Sequence, residues 1–277
     1  MDSSTAITVA QPSGTVPQPS GGALPHFAEV LRSEFCKFRS VRSTFWALVA
    51  AVGFNVVVAV LLGVFLPGAL SAHEKATIDS TRLSLGGLHL SQIAIGVLGV
   101  LVITSEYGTG MIRATFGAVP QRRLMLAAKT IVFAAAALVI GVIANFAAYF
   151  AFQAVVTGSL RTSLSDPGVL RAVTGAGLYL VVLGLLGVGL GAVIRSSAGA
   201  VAALFGLLFV PQLLVALLPG SWRDTIGPYL PMQAGAAVFS VHHEANTLQP
   251  WPGFGVFCLY AAAALAVAFA LITHRDA

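Results

Sequence analysis

Six stretches of this chain run for about twenty residues each with almost no charge, near residues 44–66, 87–105, 126–156, 170–194, 198–218 and 253–273. About twenty apolar residues in a helix cover a hydrocarbon core of roughly 30 Å. In that core every backbone N–H and C=O must pair within the protein, so long uncharged runs mean helices. Barrel strands would instead alternate over segments of about ten residues. Composition agrees: 57% of the 277 residues are hydrophobic, 9% are charged, and the mean hydropathy is +0.90. A water-soluble surface needs more charge than that. The reading is an all-α polytopic membrane protein with six transmembrane helices.

Residues 1–25 are rich in Ser, Thr, Pro and Gly and lack an apolar run, which predicts a disordered tail. A basic stretch followed at once by an apolar core is missing there, so no signal peptide is expected. From His26 to Ser43 the composition changes. Phe27, Val30, Leu31, Glu34, Phe35 and Phe38 fall near helical spacing, with Arg32, Lys37, Arg39 and Arg42 interspersed. The pattern predicts an amphipathic helix on the membrane surface, basic groups toward anionic headgroups; a helix packed on a partner is the alternative. If the N-terminus, the 2–3 loop, the 4–5 loop and the C-terminus share one side, that side carries ten Lys and Arg residues against five opposite. The bias predicts that both termini are cytoplasmic.

The most informative segment follows the second span: Glu106-Tyr-Gly-Thr-Gly-Met-Ile-Arg-Ala-Thr-Phe-Gly-Ala-Val-Pro-Gln-Arg-Arg, leading to Lys129. Glu106 stands where an apolar span meets water, and burying a carboxylate there calls for a basic partner or helix N-terminal amides. Gly108 and Gly110 permit a sharp turn. Met111 to Val119 then reads as a short helix ending before Pro120, after which Arg122, Arg123 and Lys129 begin the next span. This is a compact, partly basic helical hairpin that a bare membrane anchor would not require.

At these two places the chain resembles the membrane subunits of ABC-2 type transporters, closest to the actinobacterial type. There E-x-x-K-x-x-S-x-R-S-T precedes the first span and E-Y-x-x-G-x-x-x-x-T follows the second. Here those positions are Glu34, Lys37, Ser40, Arg42, Ser43 and Thr44, then Glu106, Tyr107, Gly110 and Thr115. Tyr229-Leu-Pro-Met-Gln-Ala-Gly235 also looks like that family's external helical segment, and the resemblance extends over about residues 26–277.

The resemblance implies the ABC-2 exporter fold and a permease subunit of an ATP-binding cassette exporter in the bacterial plasma membrane. It would pair with a second copy or a related permease and be driven by a separate ATPase in two copies. It further implies that Thr109 to Val119 is a coupling helix docked on that ATPase, with Glu106, Tyr107, Gly108, Gly110, Met111, Arg113, Thr115, Phe116 and Pro120 in the coupling segment. Glu106 would anchor it to the interfacial helix of Glu34, Lys37, Arg39 and Arg42, through Lys37, Arg39 or Arg42. The alternative is a carboxylate that only caps the span boundary.

The chain has no G-x-x-x-x-G-K-[ST], and none of its three lysines, Lys37, Lys75 and Lys129, follows a glycine-rich loop. It is therefore not expected to be an enzyme: ATP and Mg would sit on the partner ATPase, with no cofactor bound here and no nucleic-acid partner. An intramembrane protease would need H-E-x-x-H, G-x-S-x-G or an acidic pair, and none occurs in the spans. Ion-coupled transport normally places a charge at mid-span, which is also missing. A non-transporting member of the same family is the remaining rival.

Weaker signals fill out the chain. His242-His243-Glu244 reads as a solvated loop rather than a metal site, and Cys36 and Cys258 as small apolar side chains. Asn55, Asn145, Gln153 and Gln212 either bond between helices or line a cavity; Asn55, Asn145 and Gln212 are the cavity candidates. Gly177, Gly184 and Gly191 repeat every seven residues, and Gly187 adds a G-x-x-x-G, which predicts close helix packing within or between subunits. Gly96 and Gly99 are a second such surface. Pro211 predicts a kink. The cavity composition suits an amphipathic or apolar cargo: a drug, lipid or peptide.

Overall fold

The structure, a computed structural model, describes residues 27–40, 42–111, 121–241 and 246–274. The N-terminal tail, His242 to Glu244, and Arg113, Thr115, Phe116 and Pro120 of the coupling segment lie outside the described residues. Among the described residues there is no strand, and six helices are long and apolar enough to cross a membrane. The chain is an all-helical, multi-pass membrane protein.

A surface helix, α1 (Phe27–Ser40), leads into the first spanning helix, α2 (Arg42–Ala69). Two short helices follow, α3 (Ala72–Thr77) and α4 (Ser80–Ser84), and then the second span, α5 (Leu88–Gly108). The remaining spans are α6 (Arg122–Val155), α7 (Val169–Ile194), α8 (Ser197–Ala216) and, after α9 (Gly220–Ile226) and α10 (Pro231–Ala236), α11 (Pro250–His274). Each span ends within a few residues of where its apolar run ends. The helical assignment of α8 runs unbroken through Pro211.

The bundle is built around α7. Two thirds of its most apolar window (67%) is buried inside the protein, against 22% for α8 and for α11, so α7 is the central helix and those two are peripheral. Its glycines explain how it fits. A Cβ added at Gly177 would lie 3.0 Å from the Val142 side chain, one at Gly187 would lie 2.8 Å from the Gly96 carbonyl, and one at Gly99 would fall on the Gly184 carbonyl. Gly184, Gly187 and Gly191 of α7 therefore meet α5, and Gly177 meets α6, all within a single chain. Side chains without bulk let the two backbones approach, which is how helices gain contact where hydrophobic exclusion gives no driving force.

Two buried amides are joined across helices. Asn55 of α2 donates to Asn145 of α6 at 3.2 Å, both fully buried, and Asn145 donates in turn to the Gly141 carbonyl. Gln153 receives the backbone N–H of Thr162 and donates to its hydroxyl, fastening the loop after α6. Asn55, Asn145 and Gln153 are thus interhelical or loop fastenings, and Gln212 lines a cavity.

The segment before the last span turns into the bundle. A Cβ at Gly235 of α10 would lie 2.7 Å from the ring of Tyr179 and 2.8 Å from that of Phe257. Tyr179 lies ten residues into α7, about 15 Å along its axis. Irregular backbone at such depth must have its carbonyls satisfied by protein. Arg171 does this, donating to the carbonyls of Val238 and Ser240 at 3.0 Å each. On the same face Asp79, the N-cap of α4, accepts the N–H of Val241 at 2.9 Å and ties the first loop to this one.

Candidate functional site

At the end of the bundle where α1 lies and α11 finishes, four charged side chains from three helices converge. Lys129 lies seven residues into α6, two turns and about 10 Å beyond its start. Its ammonium donates to Glu34 Oε2 of α1 at 2.6 Å and to Glu106 Oε1 of α5 at 2.8 Å. Lys37, one turn along α1 from Glu34, donates to Glu34 Oε1 at 2.9 Å and stands 3.6 Å from Glu106 Oε1. The side chains of Glu34, Lys129 and Glu106 are 4%, 5% and 9% exposed, whereas Lys37 is 41% exposed. The formal charges cancel, two against two, which is what makes burial tolerable.

The local sequence explains the placement. On α1, Val30 and Glu34 are four residues apart and both face inward, while Phe27, Phe35 and Cys36 are exposed. The expected single apolar stripe is therefore split: Glu34 and Val30 seat the helix on α6, and the aromatic residues point away. Glu106 occupies the last turn of α5, and Gly108 completes that helix. The turn beyond it is carried by Gly110 alone, whose φ of +71° lies in the left-handed region that only glycine adopts freely. Met111 is exposed, and among the described residues nothing lies within 4 Å of a Cβ added at Gly108 or Gly110.

Sequence reasoning placed Glu106 against Lys37, Arg39 or Arg42. Its shorter contact is with Lys129, which the sequence places with Arg122 and Arg123 at the start of the next span; the Arg39 and Arg42 side chains lie outside the described ones. A signal was present: Lys129 is a lone charge in Leu-Met-Leu-Ala-Ala-Lys-Thr-Ile-Val-Phe, too far into the apolar run to remain without a counter-charge.

Neighbouring contacts extend the site. The Arg195 guanidinium lies over the Tyr107 ring, 5.2 Å from its centroid. Arg195 itself has φ +60°, an unfavourable value for a side-chain-bearing residue, at the end of α7. Ser197 donates to Thr104 at 2.8 Å and Arg122 to the Ile272 carbonyl at 3.4 Å, so α5, α6, α8 and α11 are also joined at this end. Two buried oxygens here, Glu106 Oε2 and the Tyr107 hydroxyl, have no hydrogen-bond partner among the described residues.

Burial by itself would push the Glu34 carboxyl up, but Lys129 and then Lys37 outweigh it and hold it below its ordinary 4.5. Burial would likewise lower Lys37, yet Glu34 and Glu106 hold it above its ordinary 10.5. The signs follow from linkage. The depressed Glu34 contributes stability that is present above pH 4.5 and lost as pH falls through its lower folded value. The raised Lys37 contributes stability that is present below pH 10.5 and lost as pH rises through its higher folded value. Thermal unfolding in detergent should therefore show the wild type ahead of Glu34→Gln at neutral pH and the gap closing in acid. A gap independent of pH would remove the carboxylate from this account.

Chemically, the arrangement is a joint: it fastens a surface helix to the ends of two spans through charges that must stay together. Among the described residues no group of three His, Cys, Asp or Glu is placed to hold a metal ion. No protein-family model matches this chain, and no curated protein matches it.

Proposed function

We propose that the chain is the permease subunit of an ATP-binding cassette exporter of the ABC-2 type, one of a pair of membrane subunits driven by a separate ATPase. Both termini and the ionic joint face the cytoplasm of a bacterial cell. The observation that carries the reading is the convergence of Glu34 and Glu106 on the buried Lys129, with Lys37 bridging the same two carboxylates. Glu34, Lys37 and Glu106 are motif residues from two segments about seventy positions apart, and they meet at the root of the segment the resemblance makes a coupling helix. An ATPase pulling on Thr109 to Val119 would act on Glu106 and so on α1 and α6 together. ATP-driven closure of the ATPase pair then changes the side on which the membrane pair opens. Gly96, Gly99 and the α7 stripe are occupied within the chain, so pairing uses other faces.

The test is reconstitution with the separate ATPase subunit that this reading requires. Glu106→Gln removes the charge that Lys129 and Lys37 share, at a cost of roughly 1–3 kcal/mol. It should leave ATPase binding intact while lowering export and cargo-stimulated hydrolysis together, by about tenfold. Met111→Asp, at an exposed position, should instead weaken recovery of the ATPase. Export at the wild-type rate by Glu106→Gln would end the coupling reading.

A further inference from the structure

Only Arg195 and Ser196 separate α7 from α8. Ser196 caps α8 by accepting the Gly199 N–H. Arg195 ends α7 at φ +60°, ψ +10°, its own N–H on the Gly191 carbonyl at 2.9 Å. Glycine is the usual residue at such a helix end, because the left-handed conformation drives a Cβ toward the backbone carbonyl. Among the described residues Arg195 is the one with a side chain that has a positive φ. A residue held in that region persists only where the contacts around it fix it there.

Those contacts lead to the end of α5. The Arg195 guanidinium lies over the Tyr107 ring at 5.2 Å, and two residues on, Ser197 donates to Thr104 at 2.8 Å. Thr104 and Tyr107 are three positions apart and share one face of α5. Glu106 stands about 100° round the helix from Tyr107 and is held by Lys129. The last turn of α5 is therefore gripped on two sides, by α6 and by the turn after α7. Packing leaves that turn no room to slide. A Cβ at Gly191 would lie 2.9 Å from the Ile103 side chain and 3.0 Å from the Val100 carbonyl. The Tyr107 hydroxyl has no hydrogen-bond partner among the described residues, so the ring makes the attachment, its electron-rich face against the cation.

We propose that Arg195 is a positioning residue: from a strained turn it holds the Tyr107 ring and so fixes the direction in which the chain leaves α5 toward Gly110 and Met111. A glycine would end α7 with less strain and reach nothing. As a contribution to coupling this rests on the transport reading above. The grip itself does not, and it is measured on the chain alone, so either idea can fail without the other.

The experiment combines thermal unfolding with amide hydrogen exchange, read by mass spectrometry, on the purified full-length chain in a neutral maltoside detergent. Arg195→Gly removes the side chain and relieves the backbone together. Its unfolding midpoint should match the wild type or exceed it by up to about 4 °C. Protection of the amides of residues 104–108 should nevertheless fall about fivefold, with the middle of α5 unchanged. Tyr107→Leu should lower the same protection equally, and Tyr107→Phe, which keeps the ring, should not. Arg195→Gly combined with Tyr107→Leu should be no worse than either alone, since both remove one contact. Unchanged protection in Arg195→Gly would reduce Arg195 to a turn residue. Losses that add in the double variant would separate it from Tyr107. A lowered midpoint with protection lost along all of α7 and α8 would make it an ordinary packing residue. Any of the three overturns the proposal.

Discussion

Lys129→Met is expected to destabilise the protein by about 3–5 kcal/mol, the cost typical of removing one partner from a buried ionic set. The residue supplies the shortest contact to both Glu34 and Glu106, at 2.6 and 2.8 Å. Without it, two carboxylates from different helices face one another in a buried site with only the half-exposed Lys37 between them. They must separate, admit water or take up a proton, and each response loosens α1 from α6. For a chain of this size, the unfolding midpoint in detergent should fall by roughly 10 °C. The loss should be recovered in large part by the triple variant Lys129→Met, Glu34→Gln, Glu106→Gln, which removes the charges together. Neutral replacement of a complete buried ion set is often nearly free, while breaking it is not. An unchanged midpoint in the single variant would mean that the joint bears no load.

The second large effect is expected at the α5–α7 crossing. Gly99→Ala should cost about 1–3 kcal/mol, and Gly99→Val should abolish recovery of monodisperse protein. A Cβ at Gly99 falls on the carbonyl of Gly184, which is helical backbone and cannot swing aside as a side-chain tip would. The neighbouring residues block retreat, since a Cβ at Gly187 would lie 2.8 Å from the Gly96 carbonyl and 3.2 Å from the Val100 nitrogen. Opening the crossing would also separate Gln92 from Tyr179, which is bonded across the same two helices. The control is Gly206→Ala on α8, where an added Cβ meets nothing within 4 Å and the change should stay within about 0.5 kcal/mol. Equal behaviour of Gly99→Ala and Gly206→Ala in size-exclusion and thermal unfolding would show that the crossing tolerates expansion.

What the amino-acid sequence determined by itself is the set of spans. Each of the six apolar runs became one helix with ends displaced by only a few residues, because hydrocarbon leaves a backbone no partner but itself. The charged residues at the ends were legible as well, since a carboxylate such as Glu106 at a span boundary demands a counter-charge. Which counter-charge, and which face of each helix turns inward, only the tertiary structure decided. A helix apolar on all sides carries no contrast between a lipid-facing and a protein-facing stripe, so Gly99 and Gly184, 85 positions apart in sequence, do not announce that they touch. Asn55 and Asn145, named as cavity candidates with interhelical bonding as the other reading, became a contact because two helices far apart in sequence brought them within 3.2 Å. Lys129 became the centre of the joint because its long side chain, two turns inside α6, lies where the last turn of α5 and the inner face of α1 cross. A buried charge must find its partner in space, and sequence distance says nothing about where that partner is.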